Sequence, residues 1–140
     1  MPASDSLGAI GGLITISSYF GPKETVNRLE TEIQAKGMKA FARIDHAAGA
    51  AEVGLTLRPT ELIIFGNARG GTPPMQSAQT VGIDLPLKAL VWQDAAGKTW
   101  ISYNEPRWIV QRHNVANAES IVNKMADLLR AISTKAANLQ

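Results

Sequence analysis

Cysteine is absent from the 140 residues, which excludes disulfide scaffolds, thiol catalysis and cysteine-based zinc sites. Charge of one sign is also scarce. Fourteen Lys and Arg stand against 12 Asp and Glu, a formal net charge of +2, and no three basic residues are consecutive. The basic footprint of a nucleic-acid or anionic-membrane binder is therefore missing. No run approaches the ~18 apolar residues of a membrane span, and the N-terminus lacks the basic start and long apolar core of a secretory signal. The expectation is a cytoplasmic protein with no nucleic acid and no membrane as partner. Aromatic residues are few, and core faces account for most of them, which leaves no base-stacking platform. The chain also lacks a G-x-S-x-G elbow, an H-E-x-x-H motif, a G-x-G-x-x-G turn after a strand and an acidic calcium loop.

What is present reads as one domain over 1–140, 45% hydrophobic. Such a length removes roughly 68% of the unfolded surface from water, enough for a core without metal or disulfide. Leu13 to Ile16 is a β-rich run after a Gly-rich leader, broken by Gly21-Pro22. From Pro22, the positions Val26, Leu29 and Ile33 recur at helical spacing, with Glu24/Arg28 and Glu32/Lys36 as pairs four apart and Gly37 as a stop. Met38 to Asp45 alternates, placing Met38, Ala40, Ala42 and Ile44 on one face. The Ala-rich stretch from His46 to Val53 suits a turn or two of helix, and Glu61 to Phe65 reads as a third strand ending at Gly66.

The long connection from Asn67 to Leu85 is expected to hold a short helix, with Thr72 as cap, Pro73 as first residue, Met75 to Thr80 completing it and Gly82 ending it. Leu87 to Gln93 and Lys98 to Tyr103 then flank a four-residue loop, a hairpin in which Lys88 faces Tyr103 and Val91 faces Trp100. Asn104 would cap a short helix carrying Trp108 and Ile109. A last helix follows from Asn117, with Ile121, Val122, Met125, Leu128, Leu129 and Ile132 as its apolar stripe.

The resulting order of strand, helix, four strands and helices implies an α+β class: an antiparallel sheet with helices packed on one face. The other face still carries large side chains such as Trp92 and Phe41 or its neighbours, so a homodimer is expected to cover it. The segments "RIDHAAGAAEVGLTLRPTELIIFGN", "GTPPMQ", "IDLPLKALVWQDAAGKTWISYNEP" and "RH", in this order over Arg43 to His113, resemble the domain-of-unknown-function 302 family. That resemblance implies a TATA-binding-protein-like α+β fold and a dimer. It brings no agreed activity and no DNA binding, because a fold name transfers no function. Where family members often read "NPKAGTPLM", this chain has "NARGGTPPM" from Asn67 to Met75.

Two constellations could carry chemistry. In the first, the amides of Gly70, Gly71 and Thr72 point unpaired toward an anion, Asn67 orients the ligand, and Arg69 with Lys88 adds positive charge. The same glycines also suit a plain tight turn, and Lys88 can snorkel to water. A nucleoside triphosphate is excluded, since Gly71 stands where a phosphate loop needs Lys. The second constellation is Arg43, Asp45 and His46, with His46 as acid or base beside a carboxylate. Here too a structural reading is open, with Asp45 capping the Ala-rich turn and Arg43 paired to it. His113, the other histidine, could join His46 and Asp45 on a metal, although the spacing matches no metal motif, and it can equally end its helix. The leading expectation is a dimeric binder of a small anionic molecule, with no cofactor, no metal and no assigned catalytic residue. The alternatives are a His-dependent enzyme, metal-assisted or not, and an interaction module without a ligand.

Overall fold

The Gly-rich leader shows no apolar alternation, yet it supplies a strand. In the computed structural model, which describes residues 6–138, Ser6–Ile10 (β1) turns through Gly11 and Gly12 and pairs antiparallel with Leu13–Ser18 (β2). Both glycines sit at positive φ, 59° and 82°, where a side chain would be strained. Pro22 opens the helix α1 (Pro22–Ala35), and Gly37 at φ 78° ends it. The remaining elements are β3 (Lys39–Asp45), α2 (His46–Glu52), β4 (Thr60–Gly66), α3 (Ala68–Ser77), a 3₁₀ turn (Gln79–Ile83), β5 (Leu87–Gln93), β6 (Thr99–Asn104), α4 (Pro106–Arg112) and α5 (Glu119–Ala137).

The six strands form one antiparallel sheet in the order β1-β2-β6-β5-β4-β3. Helices α1 and α5 lie side by side on one face of it. Val26, Leu29 and Ile33 of α1 and Leu129 and Ile132 of α5 pack there against Ile63, Phe65, Val91 and Ile101. Each such side chain stabilises the fold by roughly 1.5–3 kcal/mol through loss of apolar surface to water. The class is α+β with an antiparallel sheet, and no helix among the described residues is long and apolar enough to cross a membrane.

Three local expectations are corrected. The hairpin register is shifted by one residue: Ala89 faces Tyr103, Val91 faces Ile101 and Trp92 faces Trp100. The cause is Asp94, whose Oδ1 accepts from the amides of Ala96 and Lys98 at 3.0 and 2.9 Å while Oδ2 accepts from Trp100 Nε1 at 2.9 Å. These bonds lengthen the loop to residues 94–98. Strict alternation in β3 fails at Phe41, where a bulge separates the Ala40–Phe65 pair from the Ala42–Ile64 pair. Finally, the pairs four apart on α1 do not form. Arg28 donates to the carbonyls of Lys135, Ala136 and Asn138 at the end of α5, and Glu32 faces Lys135 at 3.8 Å.

The second face of the sheet carries no helix of the size of α1 or α5. Leu62, Leu90 and Trp92 line a shallow hollow there, and Ile44 pairs with Leu62 on the same side. Beneath them Ser102 Oγ meets Thr15 Oγ1 and accepts from Trp92 Nε1, each at 2.8 Å.

Candidate functional site

Asn67 decides where α3 begins. Its Oδ1 accepts from the Gly70 amide at 2.7 Å and its carbonyl accepts from the Gly71 amide at 3.0 Å, so the helix starts at Ala68, five residues before the expected first residue, Pro73. The open cradle of amides is corrected by the same two bonds: Gly70 and Gly71 spend their donors on Asn67, and Thr72 lies inside the helix. An anion cannot be held there by free backbone groups in the way the loop reading required.

The space beside this helix is nevertheless concave. A cavity of about 470 Å³ is lined by Asn67, Arg69, Gly70, Gly71 and Thr72, and across from them by Met38, Leu85, Met125 and Leu128. The Phe41 bulge and Pro86, whose peptide bond with Leu85 is cis, complete the wall. Among the described residues no carboxylate lines the cavity, whereas three cations do: Lys36 after α1, Arg69 in α3 and Lys124 in α5. Among the described residues none of the three makes an ion pair, a side-chain hydrogen bond or a ring contact. The other Lys and Arg side chains are all engaged. Lys23, Arg43, Arg107, Arg112, Arg130 and Lys135 pair with carboxylates. Arg28, Arg58 and Lys88 donate to carbonyls, and Lys39 and Lys98 lie over aromatic rings.

Lys88 is not part of this cavity. It belongs to the hollow on the opposite sheet face, where its ammonium donates to the carbonyls of Asp84 and Pro86 at 3.2 and 2.9 Å. Burial lowers its pKa below the ordinary lysine value, with Asp84 opposing the shift.

The second constellation is dispersed by its partners. Asp45 caps α2, accepting from the Ala48 amide at 2.9 Å. Arg43 pairs with Glu61 rather than with Asp45. Its Nε donates to Glu61 Oε2 at 2.9 Å, and its Nη1 donates to Glu30 Oε1 at 3.0 Å and Asn27 Oδ1 at 2.8 Å. Burial works to raise the Glu61 pKa, but the hydrogen bonds from Arg43 and Lys23 outweigh it and hold the carboxyl below the usual carboxylate range. His46 is exposed as the first residue of α2. It lies at the sheet end marked by the Asp45–Glu61 pair, opposite the end where Asn67 leaves β4.

His113 lies far along the fold from His46 and Asp45. Its Nδ1 meets Thr80 Oγ1 at 2.9 Å and its Nε2 meets Asp84, whose carboxylate also takes Arg112 Nη1 at 3.0 Å. This hydroxyl–imidazole–carboxylate row ties the 3₁₀ turn to the end of α4. None of the three residues lines a cavity described above. Among the described residues no three His, Cys, Asp or Glu side chains are placed to hold a metal ion.

Lys36 and Lys124 are the site residues that reading the sequence missed. For Lys124 a signal exists: with Ile121, Met125 and Leu128 it follows the i, i+3, i+4, i+7 pattern, so it shares the apolar side of α5. Lys36 gives none, because in sequence it reads as the partner of Glu32 four residues earlier.

Comparison with known proteins adds the following. The family model "Domain of unknown function DUF302" matches residues 14–132. "Fluoride-specific ion channel FluC 1" of Brucella suis biovar 1 (strain 1330) is 46% identical over 113 residues, 81% of this chain and 44% of that protein. The protein of the same description from Brucella abortus biovar 1 (strain 9-941) is likewise 46% identical over 113 residues, 42% of its length. The matched segment thus spans less than half the length of these curated relatives. The crystal structure of an uncharacterized conserved DUF302 protein from Bacillus stearothermophilus matches with a TM-score of 0.81 at 23% identity, over 89% of this chain and 98% of that one. At that identity the likeness establishes the fold.

Proposed function

The chain belongs to the DUF302 family, a description that names no activity, and we propose that it is a homodimeric binder of a small anionic molecule held in the cavity beside α3. One observation carries the reading: among the described residues, the three cations left without partners all line one concave space, and no carboxylate lines it. Unpaired cations around an apolar hollow favour a negative ligand, because each interaction strengthens as water is displaced. In this reading Arg69 supplies charge with Lys36 and Lys124, which take the part once given to Lys88 and to the amides of Gly70 and Gly71, while Asn67 Oδ1 is spent on capping α3.

The test is titration of small anions at low ionic strength, read by thermal shift and calorimetry on the wild type and on a Lys36→Gln/Arg69→Gln/Lys124→Gln variant. At least one anion should stabilise the wild type and leave the variant unmoved. Equal responses in both proteins would refute the reading.

The homodimer part rests on the open sheet face. Six strands ~4.8 Å apart and about six residues long project to roughly 600 Å². This is somewhat below the ~800 Å² per partner of a standard interface. Leu90→Asp on that face should convert a dimer to a monomer in light scattering across dilution. A wild type that is monomeric at every concentration removes this part of the proposal.

A second reading comes from the curated relatives. Since they are named fluoride-specific channels and are more than twice as long as the matched segment, this chain would act beside such a channel, no helix among the described residues being long and apolar enough to cross a membrane. Fluoride therefore belongs in the titration.

A further inference from the structure

We infer that the occupant of the α3 cavity is a single-chain amphiphile, a flexible apolar body ending in one anionic head. This rests on the proposed anion-binding role and narrows its ligand class. The chain has four methionines, and the three beyond Met1, namely Met38, Met75 and Met125, all line this one cavity. Methionine walls are unbranched and adaptable, which suits a body that changes shape and fits a rigid polar one poorly. Phe41 adds to the same surface. The bulge in β3 takes it out of the strand's alternation, so that it joins the cavity wall although it is half exposed.

The polar groups sort the ligand classes further. A sugar or nucleotide needs acceptors and donors spread along its length, but the Gly70 and Gly71 amides are spent on Asn67 and no carboxylate among the described residues is present to accept from hydroxyls. The charged groups of the lining are Lys36, Arg69 and Lys124, the Asn67 amide and Thr72 hydroxyl are its polar side chains, and most of the remaining wall is apolar. At roughly 30 Å³ per heavy atom, a volume of about 470 Å³ admits on the order of 15 atoms, the size of a medium-chain acid or alkyl phosphate.

The experiment is equilibrium binding of monomeric straight-chain carboxylates from acetate to tetradecanoate, with inorganic phosphate, decanol and dioleoyl phosphatidylglycerol vesicles as separate arms. Affinity should rise about threefold to fourfold per methylene up to about twelve carbons, an acid of about 14 heavy atoms, and then level off. Met75→Gln, at a half-buried position, should flatten that rise while leaving the response to short anions in place. If acetate or phosphate binds as tightly as decanoate, the amphiphile is overturned and the anion site stands. If decanol matches decanoate, or if no compound in any arm binds, the anion-binding role itself falls. Binding to vesicles alone would overturn a free single-chain ligand.

Discussion

Glu61→Gln should cost roughly 1.5–3 kcal/mol at neutral pH, and that cost should vanish in acid. Glu61 is 9% exposed and accepts Lys23 Nζ on one oxygen at 2.8 Å and Arg43 Nε on the other at 2.9 Å. Removing one partner of a fully buried pair costs about 3–5 kcal/mol, because the other charge is left stranded. Neither cation is stranded here. Lys23 is largely solvated, and Arg43 keeps Glu30 at 3.0 Å and Asn27 at 2.8 Å. The loss is then that of charge-assisted hydrogen bonds, about 1.5–3 kcal/mol. The folded-state pKa of Glu61 lies below its ordinary value, so its contribution is fully present above the unfolded value of about 4.3 and is lost as pH falls through the folded value. Urea unfolding of wild type and variant in steps from pH 7 downward should show a constant gap to about pH 5 and a closing gap below about 4. A variant as stable as wild type at pH 7, or a gap that persists undiminished in acid, would refute the argument. Such a result would also reopen Arg43 as a residue held for chemistry rather than for this network.

Two further outcomes follow from local geometry. A Cβ added at Gly12 would collide with Trp108 Cγ on a backbone at φ 82°, so Gly12→Ala should cost about 1–3 kcal/mol for overpacking plus about 1–2 for the left-handed backbone. Gly11→Ala is the control in chemical denaturation, with a similarly positive φ and no atom within 4 Å, and should show the backbone cost alone. Asn67→Ala removes the acceptor of the Gly70 amide and should destabilise by about 1 kcal/mol. Hydrogen exchange should quicken over α3, a helix with Gly70, Gly71, Pro73 and Pro74 in its body, and stay unchanged in α1; uniform protection in both would refute Asn67 as its cap.

The helices packed on the sheet were legible because their signal is local and periodic. Val26, Leu29 and Ile33, and the stripe from Ile121 to Ile132, repeat with the helix, and repetition at that spacing has one economical solution, burial against a neighbour. The Ala-rich turn with Asp45 as its cap was legible for a similar reason, since a short carboxylate before a helix has a nearby amide to hold. Strand β1 was not, because its partner β2 supplies the reason for it to be extended. The helix α3 was misplaced because Thr72-Pro73 and Asn67 are both acceptable starts, and propensity gave no reason to carry a helix through two glycines and two prolines.

The site divides along the same line. From sequence alone came the class of fold, the choice of the segment after β4 as the candidate site, and the chemistry that an absence of cysteine excludes. Tertiary structure alone decided which cations are left over, since that depends on where each competing carboxylate and carbonyl ends up. Glu32 turns to Lys135 and so Lys36 is released toward the cavity, while Arg43 is claimed by Glu61 and Lys88 by two carbonyls. Periodicity reports a residue's own backbone. Pairing is settled among groups that the chain keeps far apart until it folds.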